Sequence, residues 1–184
     1  APDNVGMMFH HSLAWVDFVL STSTPVTTTQ IRIDEIRTTG SACDGTLTLA
    51  IDNADKTTSA LGLSSAVWSN YVAGGRKVNK PANDFILSTA ETQYNKGILL
   101  VPECGMTGFE MDYTIIVQGN EHQFTYTNNV APTLSAGKKY TYNIVVSLTE
   151  IKVDIGIDNW EDWATDEENK LPPVSPDSPN PPNP

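Results

Sequence analysis

Histidines, cysteines and clustered acids are the residues through which this chain could bind a metal or move a proton. Its three histidines are His10, His11 and His122. His10 and His11 are neighbours on what reads as a strand, where successive side chains point to opposite faces, so that geometry does not let them grip one metal. His122 reads as a half-buried strand residue. Cys43 and Cys104 belong to no CxxC pair, so zinc and redox motifs fail on spacing. Two readings stay open for them: small buried hydrophobes, or a disulfide if the protein is exported. The run "DNADKTTSALG" starts like a calcium loop, but Ala54 stands where a second oxygen ligand is wanted and no glycine makes the sharp turn. The run "DNWEDWATDEEN" gathers acids around Trp160 and Trp163. It reads as a solvated domain end with Trp160 folded over a rim, or as an aromatic sugar platform with carboxylate hydrogen bonds. There is no GxSxG elbow, no HExxH and no residue set for a cofactor. Catalysis finds little support.

Composition narrows the partners. A net charge of −11 with only 11 basic residues argues against nucleic acid, whose phosphates need clustered Lys and Arg. Arg76, Lys77 and Lys80 form the single loose basic cluster. No apolar run approaches the length of a membrane-spanning helix. The start at Ala1, without Met or a signal peptide, reads as a mature or trimmed product. At 184 residues the chain is expected to be one domain with a tail.

The elements that must position these residues read as strands. In "GFEMDYTIIVQ" and "EHQFTYT" two alternating apolar rows flank Gly119-Asn120, a turn pair tolerant of positive φ. With that turn, Val117 faces His122, Ile115 faces Phe124 and Tyr113 faces Tyr126. A strand near 45–52 turns Leu47, Leu49 and Ile51 inward. "GILLVP" reads as a fully buried strand ended by Pro102, and the jump from Ile33 to Ile36 suggests a bulge. The opening "MMFHHSLAWVDFVL" is apolar on both phases, as a central strand would be. Residues 53–96 read as loops with short strands at "AVWSNYV" and "DFILS". In "YTYNIVVSLTEIKVDIGID" the apolar phase switches at Thr149-Glu150, which lack Gly, Asn or Asp. A bulge, or a strand crossing between sheets, is therefore expected there rather than a tight hairpin. Turn signals at roughly ten-residue intervals imply an all-β, antiparallel sandwich. The end of the chain differs, with seven of its 12 prolines in the last thirteen residues. A solvated, disordered tail or linker is expected over 165–184, after a lead-in at 1–7 and a sandwich domain at 8–164.

The stretch "AGKKYTYNIVVSLTEIKVDIGIDNWED" resembles the closing signature of the fimbrillin-like proteins, pilus subunits of Gram-negative gut and oral anaerobes. Phe9-His10-His11-Ser12-Leu13-Ala14 is similar to the strand that opens their second domain, with His11 in the family's histidine position and Trp15 where relatives commonly carry a basic residue. "GILLVP" is similar to their central buried strand. Together these cover roughly residues 8–163. The resemblance implies an exported lipoprotein precursor with two transthyretin-like sandwich domains, of which this would be the C-terminal one. It also implies a fimbria attached to the outer membrane, assembled when a strand of one subunit completes the sheet of the next.

The expected function is therefore a structural or adhesive subunit of a cell-surface fimbria, not an enzyme and without cofactors. Its expected partners are other fimbrial subunits by strand exchange, with a host or bacterial surface glycan or protein as a further one. The alternative is a surface carbohydrate-binding module using Trp160 or Trp163. The proline-rich tail cannot supply a continuous ladder of N–H groups, so the donor strand should come from a partner.

Overall fold

The computed structural model describes residues 11–23, 28–42, 44–52, 62–71 and 75–160. Among them there is no helix, and twelve strands build two five-stranded sheets packed face to face plus a two-stranded ribbon. The first sheet runs β12 (Ile151–Asn159), β11 (Lys138–Val146), β1 (Ala14–Thr22), with β7 (Thr92–Gln93) and β8 (Ile98–Leu100) both against β1. The second runs β10 (Asn120–Asn128), β9 (Gly108–Val117), β2 (Thr29–Thr39), with β5 (Val78–Asn79) and β6 (Phe85–Ile86) against β2. The ribbon pairs β3 (Thr46–Asp52) with β4 (Gly62–Ser69), so the strand expected from residue 66 begins four residues earlier.

Period-two apolar rows place the core between the sheets. Ala14, Val16, Phe18 and Leu20 of β1 are fully buried, and Tyr140, Tyr142, Ile144 and Val146 of β11 nearly so. Ile31, Ile33 and Ile36 of β2 and Phe109 and Met111 of β9 meet them from the other sheet. The rings of Phe18, Phe109 and Tyr142 lie 5.3–5.4 Å apart and join the two layers. Burying each such side chain is worth about 1.5–3 kcal/mol. The bulge expected in β2 falls between Ile33 and Glu35, which keeps Ile33 and Ile36 on one face. β1 is the expected central strand. On its other face Asp17 is buried, with both oxygens accepting from Gln93 Nε2 at 3.0 and 2.8 Å and Lys139 Nζ 3.5 Å away.

Four local expectations are corrected. β1 and β11 pair parallel, so the first sheet is mixed rather than wholly antiparallel. More than a hundred residues separate them, and no tight turn dictates their direction. The β9–β10 turn is centred on Gln118 (φ 49°) and Gly119 (φ 84°), one residue earlier than expected. Val117 therefore faces Asn120, Ile115 faces His122, and Tyr113 faces Phe124. The slip of two residues in register leaves the apolar rows on the expected side, and His122 is exposed rather than half-buried. The phase switch at Thr149-Glu150 is a hairpin after all, with Val146 opposite Ile151. Ser147 replaces the missing turn residues: its Oγ accepts from Glu150 N at 2.9 Å, and its N–H donates to Glu150 O at 2.9 Å. Four loop residues pair an even row with an odd one, which is what the switch records. Finally, β8 is not fully buried, because Leu99 between Ile98 and Leu100 is 45% exposed on the outer face.

Candidate assembly surface

Each sheet has two edges, and the sandwich thus has two flanks. On the first, β5 to β8 are two or three residues long and residues 79–97 tie the sheets together. Leu87 N donates to Ile31 O at 2.9 Å in one sheet, and Tyr94 N to Phe18 O at 2.8 Å in the other. Leu87 and Tyr94 fill the space between, 2% and 0% exposed, with Tyr94 edge-on to Phe85 at 5.0 Å. Burial pushes the Tyr94 phenol well above its ordinary range. Asn79 and Asn95 close the rim: Asn95 Nδ2 donates to Asn79 Oδ1 at 2.7 Å, and Asn79 Nδ2 to Lys96 O at 3.0 Å.

The second flank has no such closure among the described residues. β10 and β12, nine residues each, end their sheets with no strand on the outer side. Ile151, Val153 and Ile155 of β12 pair with core residues of β11 yet are only half-buried, and Ile157 is 55% exposed. On the facing sheet Phe124 is 45% exposed, stacked on Tyr113 at 5.5 Å, and Val117 is 39% exposed. Two apolar rows at strand spacing therefore line an open margin, beside two unpaired ladders of N–H and C=O groups. Such an edge is a template for another strand.

The outer face of the β9–β2 sheet is a web of ion pairs that the one-dimensional pattern did not suggest. Arg37 bonds Glu110 (2.8 Å), Glu35 (3.1 Å) and Asp112, and Arg32 bonds Asp34 (2.8 Å) and Glu121 (3.0 Å). The Arg37 guanidinium holds the Asp112 carboxyl below its usual range. These acids are spoken for, and no group of three or more His, Cys, Asp or Glu among the described residues has metal-binding geometry. No helix among them is long and apolar enough to cross a membrane.

Of the residues singled out in the sequence, Trp160 folds back on the sandwich. Its ring stacks on His11 at 3.6 Å and stands edge-on to Trp15 at 5.0 Å, and the Trp160 backbone N–H donates to Gly137 O at 2.9 Å. Trp163, the other half of the sugar platform, lies outside the described residues, as do His10, Cys43, the calcium-like run beyond Asp52 as far as Leu61, and the tail. Cys104 is buried with a free thiol. The exposed margin of β10 was not singled out in the sequence; its signal was the apolar row of "EHQFTYT" with too few partners to cover it.

The fimbrillin-like family model matches residues 1–160. Among solved structures, a fimbrial protein from Bacteroides vulgatus is 14% identical, with 83% of this chain and 55% of that one covered and a TM-score of 0.39. A candidate cell-adhesion protein from Bacteroides uniformis is 19% identical over 83% and 52% of the two chains, TM-score 0.37. Another from Bacteroides eggerthii is 12% identical over 82% and 56%, TM-score 0.44. The chain spans about half the length of these structures. No curated protein matches it.

Proposed function

This chain belongs to the fimbrillin-like family, and from that premise we propose that it is a structural or adhesive subunit of a cell-surface fimbria, assembled by β-strand addition. The observation that carries this reading is the open flank: two nine-residue edge strands with half-covered apolar rows, Phe124 and Ile157 exposed, and no outer partner among the described residues. Backbone hydrogen bonds along such an edge give affinity, and alternate side chains give register. On this reading the protein is exported, its fibre is attached at the outer membrane, and it is not an enzyme. The seven prolines of residues 172–184 lack N–H groups, so the donated strand comes from another subunit.

Fibre incorporation tests it. Deleting residues 171–184 from the gene-encoded protein should leave fibres unchanged by immunogold electron microscopy. Loss of fibres on that deletion, with the domain still folded, would make the tail the joint and overturn the reading. A glycan array with the purified domain should be silent; selective binding would favour a carbohydrate module instead.

A further inference from the structure

The two margins of the open flank are not equivalent, and we infer that β10, not β12, is the edge that accepts the incoming strand. This rests on the strand-addition reading and names its site and the chemistry of its partner.

The hydrogen-bond phase of β10 follows from its turn. Val117 and Asn120 flank the two-residue turn, and such a turn closes on a hydrogen-bonded pair. Bonded and non-bonded pairs then alternate, so Asn120, His122, Phe124 and Tyr126 direct their N–H and C=O groups to β9. Those of Glu121, Gln123, Thr125 and Thr127 point away, to a side where no strand lies among the described residues. β10 has one charged residue, Glu121 near its start, paired with Arg32, and from His122 to Thr127 it carries no Lys, Arg, Asp, Glu or Pro, the residues by which natural edges discourage pairing. β12 carries three such guards on its solvent face, Lys152, Asp154 and Asp158, all exposed.

Packing points the same way. Phe109 of β9 touches Tyr142 of β11 in one direction and Tyr126 of β10 in the other. β12 continues the first sheet beyond β11 on the side where β10 continues the second beyond β9. A strand laid along β10 would set every second side chain beside Phe124, at the margin that the Val153, Ile155 and Ile157 row of β12 borders. Its inward residues are therefore branched aliphatics. Its outward residues are basic or uncharged, since the acceptor carries a net charge of −11.

The probe is a synthetic peptide of about ten residues alternating valine and lysine, with a proline-interrupted version as control. Binding to the full chain is followed by fluorescence anisotropy and residue-resolved hydrogen exchange. The expected result is slowed exchange at the N–H groups of Gln123 and Thr125, with the control peptide inert. Gln123→Pro removes one outward N–H while leaving the β9 ladder intact; it should weaken binding about tenfold or more, whereas Gln123→Ala should not. Protection on β12 instead, or undiminished binding by a folded Gln123→Pro variant, overturns the assignment to β10 while strand addition stands. Absence of peptide binding at any edge, in a chain that still enters fibres, overturns both. The exchange pattern of the parent chain decides the matter even if the proline variant does not fold.

Discussion

On one flank of the sandwich, strands of two or three residues and a connecting segment carry Leu87 and Tyr94 into the core and satisfy the rim with asparagine amides. On the other, strands of nine residues stop with apolar rows half-covered and ladders unpaired among the described residues. Irregular chain thus seals better than regular strand. A loop can bend side chains into a gap and bring its own hydrogen-bond partners, whereas a strand always leaves one side of its ladder for something else. The regular flank is the one suited to a partner.

The largest expected effect removes the open flank altogether. Val146 is fully buried and paired on both sides, with Thr22 and Ile151. Val146→Pro takes an N–H out of a central strand and should destabilise by about 3 kcal/mol or more. Circular dichroism should show loss of the folded state, and fibre incorporation should go with it.

Next comes the cysteine pair. Cys104 is buried with a free thiol in this structure, and Cys43 lies outside the described residues. Under oxidising conditions the two are expected to join, closing a loop of about sixty residues worth ~4 kcal/mol before strain. Two alkylated thiols in the non-reduced exported protein, read by mass spectrometry, would end that expectation.

A matched pair of substitutions probes the flanks directly. Leu87→Ala on the sealed side should lower stability by about 2–5 kcal/mol. Ile157→Thr on the open side should change it by about 0.5 kcal/mol or less. Equal losses in urea denaturation would break the comparison, because the open flank would then be as closely packed as the sealed one.

The smallest effect concerns the ion pairs outside both flanks. Arg37 lowers the folded pKa of Asp112, so this carboxylate's contribution is complete above its ordinary value of 3.8 and is lost as pH falls through the lower folded value. Asp112→Asn should lower the neutral plateau slightly, leave the acid end unchanged, and so flatten the acid limb of the stability profile below about pH 4. A steeper acid limb would contradict the pairing.

Much of the fold was legible because period two survives in a sequence wherever one face of a strand is buried. The rows on β9, β11 and β12 and the bulge after Ile33 follow from spacing alone, since a row that changed phase would expose its own side chains. Turn residues were a weaker guide. Gln118 adopts a positive φ that the pair Gly119-Asn120 seemed better suited to, and Ser147 closes a hairpin with its hydroxyl where Gly or Asn was sought. Local chemistry allows several turns, and the strands on either side select among them.

The sequence by itself determined that this protein is acidic, all-β and fimbrillin-like. Charge, strand periodicity and the closing signature are properties of the chain's order. Only the tertiary structure decided that β1 lies parallel to β11, that residues 79–97 close one flank, and that β10 and β12 are left at the margin of the other. Pairing between distant strands depends on which apolar rows find each other across the whole core, and no local stretch of sequence carries that information.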